Sequence, residues 1–80
     1  MIYYVYVLKS QKNGKRYTGL TRKTPAIRLE EHNRGVNRWT SNNRPFDLIH
    51  FEKFRSRSEA FKKEKYFKSA AGRRYLEKLL

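Results

Sequence analysis

The stretch that decides the fold is YYVYVL (3–8) followed by RYTGL (16–20), with Asn13 and Gly14 between them. Both segments are rich in aromatic and β-branched residues, which favour strands. Asn-Gly is the strongest short-range signal for a tight hairpin, because both residues tolerate the positive φ angles of a type I′ turn. The sequence therefore predicts a β-hairpin with strands at 1–9 and 16–20.

Two tyrosines of this hairpin, Tyr6 and Tyr17, are eleven residues apart. A turn near Asn13 and Gly14 brings their strands side by side, so we expect the two phenol groups close together on one sheet face. Gly19 marks a point where the backbone can approach a ligand closely. The tyrosines are either core residues, as most strand aromatics are, or chemical groups. The second role requires a nearby cation, since a free phenol has a pKa near 10.

Composition limits the class of protein. Eighty residues without a linker or repeat predict one domain over 1–80. The absence of cysteine excludes disulfides and thiolate metal sites and fits a reducing, cytoplasmic location. No apolar run approaches the roughly 20 residues of a membrane span, so we expect no membrane partner. Twenty Lys and Arg against seven Asp and Glu give a net charge of +13, which favours nucleic acid as the partner.

A helix is predicted after the hairpin. Thr24 has the residue type of an N-cap, and Pro25 suits the first helical position, where its missing N–H costs nothing. The helix is expected to run to about Arg34 and to stop at Gly35 in the left-handed conformation. A polar loop is then predicted over 36–45.

A third strand and a second helix follow. Residues 46–54 alternate in a strand-like manner, and Ser56 with Glu59 fits a capping box before a helix over 60–69. We expect the third strand to pair with the hairpin, because an isolated hairpin is seldom stable.

The chain after Gly72, which is expected to separate two helices, predicts a short last helix over 73–80. Three leucines are expected to pack inward from it: Leu76, Leu79 and Leu80. The order β-β-α-β-α-α indicates an α+β fold with a small, mainly antiparallel three-stranded sheet flanked by helices.

Glu64 is a carboxylate on the apolar side of the second predicted helix. At 100° per residue, that side is formed by Ala60, Phe61, Phe67 and Ala71. A carboxylate in this position costs desolvation energy unless a cation meets it. The cation is either Arg28 or a lysine, in a structural ion pair, or a metal ion.

Arg28 and His32 are spaced i and i+4 along the edge of the first helix, so their side chains are neighbours. The guanidinium fork of Arg suits a phosphate, and His donates a hydrogen bond or carries a proton near neutral pH. The alternatives are an ion pair of Arg28 with Glu31 or Glu64, and a merely solvated His32.

Four segments together resemble the GIY-YIG nuclease superfamily: Tyr4-Val5-Tyr6, Tyr17-Thr18-Gly19, the run RLEEHN at 28–33, and Ala60-x-x-x-Glu64. Each segment alone is a weak signal, but their order and spacing are specific. The chain looks most like the short stand-alone members, which are also similar to the N-terminal nuclease domain of the bacterial excision-repair endonuclease.

The resemblance implies a metal-dependent endonuclease of low sequence specificity that hydrolyses phosphodiester bonds, in DNA rather than RNA. It implies that Tyr17 is the general base, and that Tyr6 either hydrogen-bonds near the attacking water or assists Tyr17. It also implies that Arg28 contacts the scissile phosphate. His32 would help to position phosphate or water. Glu64 would be the sole protein ligand of one Mg²⁺ or Mn²⁺ ion, held weakly without substrate.

Further residues are predicted to bind nucleic acid around this site: Arg22, Lys23, Arg34, Arg38, Trp39, Arg44 and Lys68. The cations suit phosphate contacts, which depend strongly on salt. Trp39 either stacks on a base or covers the thin core.

Departures from the family pattern leave a second hypothesis. Tyr4 and Thr18 replace a glycine and an isoleucine of the family motifs, and the last helix lacks the asparagine that many members carry there. We expect no separate DNA-binding domain, so specificity would come from this domain or from a protein partner. The alternative function is a non-catalytic, basic nucleic-acid-binding module, associated with RNA or the ribosome.

Overall fold

A computed structural model describes residues 1–79. Its elements in chain order are β1 (Tyr3–Ser10), β2 (Arg16–Thr21), α1 (Pro25–Asn33), α2 (Arg38–Asn43), β3 (Phe46–Phe54), α3 (Arg57–Lys68) and α4 (Ala70–Leu79). The strands form an antiparallel sheet in the order β2-β1-β3. The predicted α+β class and the pairing of the third strand with the hairpin are therefore confirmed.

The central strand β1 separates two cores, because successive side chains of a strand point to opposite faces. On one face, Val5 and Val7 pack with Ala60, Phe67 and Leu76 of α3 and α4. We call this the apolar face.

The other face of β1 carries Tyr6 and Leu8, which pack with Phe46. The helices α1 and α2 bring two fully buried polar side chains here, His32 and Thr40. We call this the polar face.

The hairpin loop is longer than a type I′ turn. Gly14 has a φ of 75°, but no non-glycine residue among 1–79 has a positive φ, so the predicted turn type is wrong. Residues 11–15 separate the strands instead. The reason lies in Asn13, whose side-chain amide donates to Asn43 Oδ1 at 2.7 Å while its own oxygen accepts from the Lys15 N–H.

The predicted loop over 36–45 contains the helix α2, so that prediction is wrong. Asn37 is its N-cap, and Asn37 Oδ1 accepts from the Thr40 N–H at 2.8 Å. Asn is among the best N-cap residues. The signal was therefore present in the sequence, hidden by the short length and polarity of the helix.

The ends of α1 agree with the prediction except at the cap. Pro25 is its first residue, and Gly35 follows its end with a φ of 85°. Thr24 stands at the N-cap, but its side chain makes no capping hydrogen bond. Its carbonyl oxygen accepts from the Ile27 N–H instead, at 3.1 Å.

The helix α3 begins at Arg57, earlier than predicted. Ser56 is its N-cap and accepts from the Glu59 N–H at 3.3 Å, as expected. Phe61 is 52% exposed. Its predicted place on the buried side of the helix is therefore wrong, and so is that of Ala71, which is exposed.

Gly72 lies inside α4. The prediction that it separates two helices is therefore wrong. A Cβ at Gly72 would overlap the carbonyl oxygen of Tyr66, so the glycine permits close packing of α3 and α4. Leu76 is buried as predicted, but Leu79 is half exposed, and Leu80 lies outside the described residues. Within residues 1–79, the helices are too short or too polar to cross a membrane.

Candidate active site

A cavity of about 800 Å³ runs along β2, the edge strand of the sheet. Tyr6, Tyr17, Arg28 and Glu64 all line it. These are four of the five residues singled out from the sequence, and they come from β1, β2, α1 and α3. The fold therefore brings side chains that are far apart in sequence to one pocket.

Tyr6 reaches this pocket by crossing β2 at Gly19, its partner in the strand register. A Cβ at Gly19 would lie 2.5 Å from Tyr6 Oη and 2.6 Å from Cζ. The Tyr6 ring therefore fills the space that a side chain at Gly19 would need, and the approach of a ligand to Gly19 stays a prediction. The Tyr6 and Tyr17 rings lie 6.3 Å apart, which confirms their expected proximity.

His32 lies behind Tyr6, fully buried between α1 and α2. Its Nε2 is 2.9 Å from Tyr6 Oη and 3.1 Å from Arg28 Nη2, and its Nδ1 is 3.1 Å from Thr40 Oγ1. The solvated alternative for His32 is excluded. With no exposed surface, His32 does not reach a substrate and can act only through Tyr6 and Arg28.

The hydrogen bonds of Thr40 assign the tautomer of His32. The Thr40 hydroxyl donates its one proton to Asn37 Oδ1 at 2.9 Å, so its oxygen accepts from Nδ1–H of His32. Nε2 is then the acceptor, facing the donors of Tyr6 and Arg28. The four side chains form one chain of hydrogen bonds from Asn37 to Tyr6.

Burial keeps the rings of Tyr6 and His32 uncharged. Desolvation, followed by the positive charge of Arg28, lowers the pKa of His32 to about 4. Burial also raises the pKa of Tyr6 above its usual value, although the hydrogen bond from Arg28 acts in the opposite direction. At pH 7, Tyr6 is thus a neutral phenol and His32 a neutral imidazole.

Arg28 is held on three sides. Its Nη1 donates to Glu31 at 2.6 Å, its Nε donates to Tyr6 Oη at 3.3 Å, and its Nη2 faces His32. A guanidinium has five N–H donors, so two remain for a ligand. Of the alternatives for Arg28, the ion pair with Glu31 is present.

Glu31 was not singled out as a site residue by the sequence. It accepts from Lys23 Nζ at 2.7 Å as well as from Arg28, and both interactions lower the pKa of its carboxyl group. Its i, i+3 spacing from Arg28 was the available signal.

Glu64 faces the pocket with its side chain 17% exposed, and its Oε2 lies 3.2 Å from Lys68 Nζ. The lysine alternative for its cation is therefore present, on the same helix. No group of three or more His, Cys, Asp or Glu side chains in residues 1–79 forms a metal cluster. A single carboxylate at an open pocket fits Mg²⁺ or Mn²⁺, since Mg²⁺ retains waters and takes oxygens from its substrate.

Tyr17 and Trp39 form the wall of the pocket beside His32. The Tyr17 ring lies 4.7 Å from the His32 ring and 5.7 Å from the Trp39 ring, which also stacks on Phe46 at 6.0 Å. Trp39 is 38% exposed. It therefore covers the core and also presents a surface to the pocket.

Among the residues predicted to bind nucleic acid, Trp39 and Lys68 line the pocket, and five do not: Arg22, Lys23, Arg34, Arg38 and Arg44. Arg34 lies 3.8 Å from Glu30. These five residues therefore do not form the pocket wall, and their part in binding nucleic acid stays a prediction.

Three basic residues line the pocket although the sequence did not single them out: Lys15, Arg16 and Arg73. They lie in the hairpin loop, at the start of β2 and on α4, and the linear sequence does not place α4 beside the hairpin.

Known proteins are similar to this chain. Residues 2–77 match the model of the GIY-YIG catalytic domain. A UPF0213 protein of Listeria monocytogenes is 48% identical over 68 residues, which are 82% of this chain and 73% of that protein. One from Enterococcus faecalis is 46% identical over 69 residues, covering 82% of this chain and 76% of that protein.

A solved structure is also similar. The solution NMR structure of a UPF0213 protein from Bacillus halodurans superimposes with a TM-score of 0.60 at 32% identity. The match covers 99% of this chain and 85% of the other.

Proposed function

The chain belongs to the GIY-YIG catalytic-domain family, whose members are generally nucleases, and we propose that it is a divalent-metal-dependent endonuclease. It would hydrolyse phosphodiester bonds with low sequence preference, in DNA rather than RNA. The observation that carries this proposal is the convergence of Tyr6, Tyr17, Arg28 and Glu64 on one pocket.

Arg28 is the proposed contact of the scissile phosphate. Two of its five N–H donors remain after Tyr6, His32 and Glu31 have been satisfied. Because these partners fix the guanidinium before substrate arrives, little reorganisation is needed when charge develops on the phosphoryl oxygens. Such preorganised charges give the largest electrostatic stabilisation of a transition state.

Tyr17 is the proposed general base, and Tyr6 is not. Tyr6 is 1% exposed, its pKa is raised by burial, and its hydroxyl faces His32 Nε2. Its role is to position Arg28. Tyr17 is half-buried and lines the pocket, so a water molecule can reach its oxygen.

The reaction is a hydrolysis. The oxygen of a water molecule bonds to phosphorus while one of its protons moves to Tyr17 Oη and the phenolic proton of Tyr17 passes to solvent, and the bond between phosphorus and the 3′ oxygen breaks. The leaving 3′ oxygen takes a proton from solvent. The products are a 5′-phosphate and a 3′-hydroxyl end.

Glu64 would hold the Mg²⁺ or Mn²⁺ ion. When bound, the ion neutralises charge on the phosphate and on the leaving oxygen. Glu64 accepts from Lys68 in the structure, so this lysine would move towards the substrate phosphates when the carboxylate binds a metal. One protein ligand implies weak metal binding without nucleic acid.

The test is cleavage of end-labelled branched, single-stranded and duplex DNA with Mg²⁺ or Mn²⁺. Removal of one transition-state contact costs about 10²–10³ in rate, and we expect at least this loss in Tyr17→Phe and in Glu64→Gln. Tyr75→Phe and Glu59→Gln are the matched controls, since neither residue lines the pocket. Both controls should cut at the wild-type rate, and chelation of the metal should stop all cutting.

Two outcomes would overturn the proposal. Cutting that is unchanged in Tyr17→Phe and Glu64→Gln would assign the activity to another site. Salt-sensitive binding without cutting of any DNA or RNA, with either metal, would establish the non-catalytic binding module instead.

A further inference from the structure

The pocket continues past the four candidate catalytic residues, along β2 towards the hairpin loop and α4. Its far end is lined by Lys15, Arg16 and Arg73. Building on the proposed function, we propose that this extension binds the sugar-phosphate backbone of the nucleic-acid strand. Lys15 and Arg73 would contact phosphates on one side of the phosphate that is cut.

The charge of the pocket lining favours a polyanion. Five basic side chains line it: Lys15, Arg16, Arg28, Lys68 and Arg73. Only two carboxylates, Glu64 and Glu77, oppose them. A concave surface with such an excess of positive charge concentrates the field and attracts anionic ligands.

Lys15 and Arg73 differ from Lys23 and Arg34 in their partners. Within residues 1–79, neither side chain has an ion pair or a hydrogen bond, whereas Lys23 pairs with Glu31 and Arg34 with Glu30. Lys15 and Arg73 can therefore bind phosphates without breaking an existing interaction.

Arg16 has a different part, because it joins the two walls of the extension. Its Nη1 donates to the carbonyl oxygen of Arg73 at 3.4 Å, and its Nη2 lies 3.8 Å from Glu77. These contacts connect the edge strand to α4 and fix the Arg73 backbone relative to β2.

The pocket wall along β2 is longer than one nucleotide. Residues 16–20 of β2 span about 13 Å at ~3.3 Å per residue. This wall, which includes Tyr17 and ends at the extension, is long enough for a strand to contact more than one phosphate. The path lies along the edge of β2 and not across α1 and α2, where Arg38 lies and which Arg34 and Arg44 follow.

The experiment compares charge-matched double variants. Lys15→Gln with Arg73→Gln removes two charges from the groove. Lys53→Gln with Arg55→Gln removes one Lys and one Arg from the opposite edge of the sheet, where both residues are exposed. The probe is a fluorescein-labelled single-stranded DNA of about 20 nucleotides, titrated by anisotropy with EDTA present at several KCl concentrations.

Loss of two phosphate contacts predicts a slope of log Kd against log salt that is smaller by about 1.4, and a Kd roughly 10–25-fold higher near 0.1 M KCl. The opposite-edge pair should change Kd by less than about threefold, because only long-range attraction is lost. Equal effects of the two pairs would overturn the proposal. So would a larger loss in Arg34→Gln with Arg38→Gln, which would place the strand over α1 and α2.

These results are separable from the proposed function, because binding is measured without metal. If the wild-type protein cuts DNA and the Lys15 and Arg73 variants bind and cut normally, only the proposal that the extension binds the strand is contradicted. A groove effect on binding, without cutting by the wild type, contradicts the nuclease proposal and supports the groove.

Discussion

The two faces of β1 are stabilised in different ways. On the apolar face, Val5 and Val7 meet Phe67 and Leu76 without a buried polar side chain. On the polar face, Tyr6 meets buried groups that must all be hydrogen-bonded. Within residues 1–79, no buried side-chain polar atom lacks a partner.

The two faces position different side chains of the pocket. The polar face fixes the orientation of Tyr6 and Arg28 through directional hydrogen bonds. The apolar face supports α3, which presents Glu64 to the same cavity from the other side of the edge strand. Shape and burial therefore position the carboxylate, whereas a specific tautomer positions the guanidinium.

The largest effect on stability is expected on the apolar face. Phe67→Ala should lower the free energy of unfolding by about 3–5 kcal/mol, since it removes a fully buried ring and leaves a cavity. Urea denaturation followed by circular dichroism measures this loss. If the variant does not fold, Phe67→Leu should still cost about 1–1.5 kcal/mol. A cost of Phe67→Ala below that of Tyr6→Phe would contradict the contrast between the faces.

Acid should weaken the polar face next. The pKa of His32 is lowered to about 4 by burial and by Arg28, with Glu31 opposing. The unfolded chain therefore binds this proton at a higher pH than the folded chain does. Stability is full above pH 6.5 and falls by about 2–3 kcal/mol by pH 4.5. Urea midpoints at several pH values should show this loss of stability in the wild type. If the His32→Gln variant loses the same stability in acid, protonation of His32 is not the cause.

Gly19→Ala should disturb the point where the Tyr6 ring crosses β2. The added Cβ would meet Tyr6 Oη and Cζ at 2.5 and 2.6 Å, and overpacking of this kind costs about 2 kcal/mol. In a double-mutant cycle with Tyr6→Leu, which removes the phenol tip, most of that cost should disappear. Independent, additive effects would mean that the two residues do not compete for space.

The smallest effect, and the most specific, is expected at Thr40. Thr40→Val removes the acceptor of the His32 Nδ1–H and should cost about 1–2 kcal/mol. In the Thr40→Val variant, the ¹⁵N chemical shifts of the His32 ring should report a loss of the Nδ1–H tautomer. The Thr40→Ser variant should keep this tautomer. The same tautomer in both variants would show that Thr40 does not select it.

Much of the fold was predictable because it depends on local signals. Residues 3–8 alternate between the two faces, and Pro25 and Gly35 bound α1 as expected. The helix α2 was missed because its six residues contain no apolar periodicity. Gly72 was misjudged because its role depends on the distance between two helices, which no local pattern records.

Site residues were predictable where a charged side chain occupied a position that the helix pattern reserves for apolar residues. Glu64 stood out as a carboxylate among apolar residues. Thr40 and Glu31 were not predicted as site residues, since their roles depend on tertiary contacts with His32 and Arg28. Lys15 and Arg73 are 58 residues apart and become neighbours of one cavity only through the fold.

The most direct test of the central claim is paramagnetic broadening by Mn²⁺ in the ¹⁵N-labelled protein, with a short 5′-phosphorylated DNA product present. If one pocket combines the two faces, amide signals of residues 63–65 and 17–19 should broaden together, and Glu64→Gln should abolish both effects while Glu59→Gln does not. Broadening that is confined to one of these segments, or that persists in Glu64→Gln, would contradict the account.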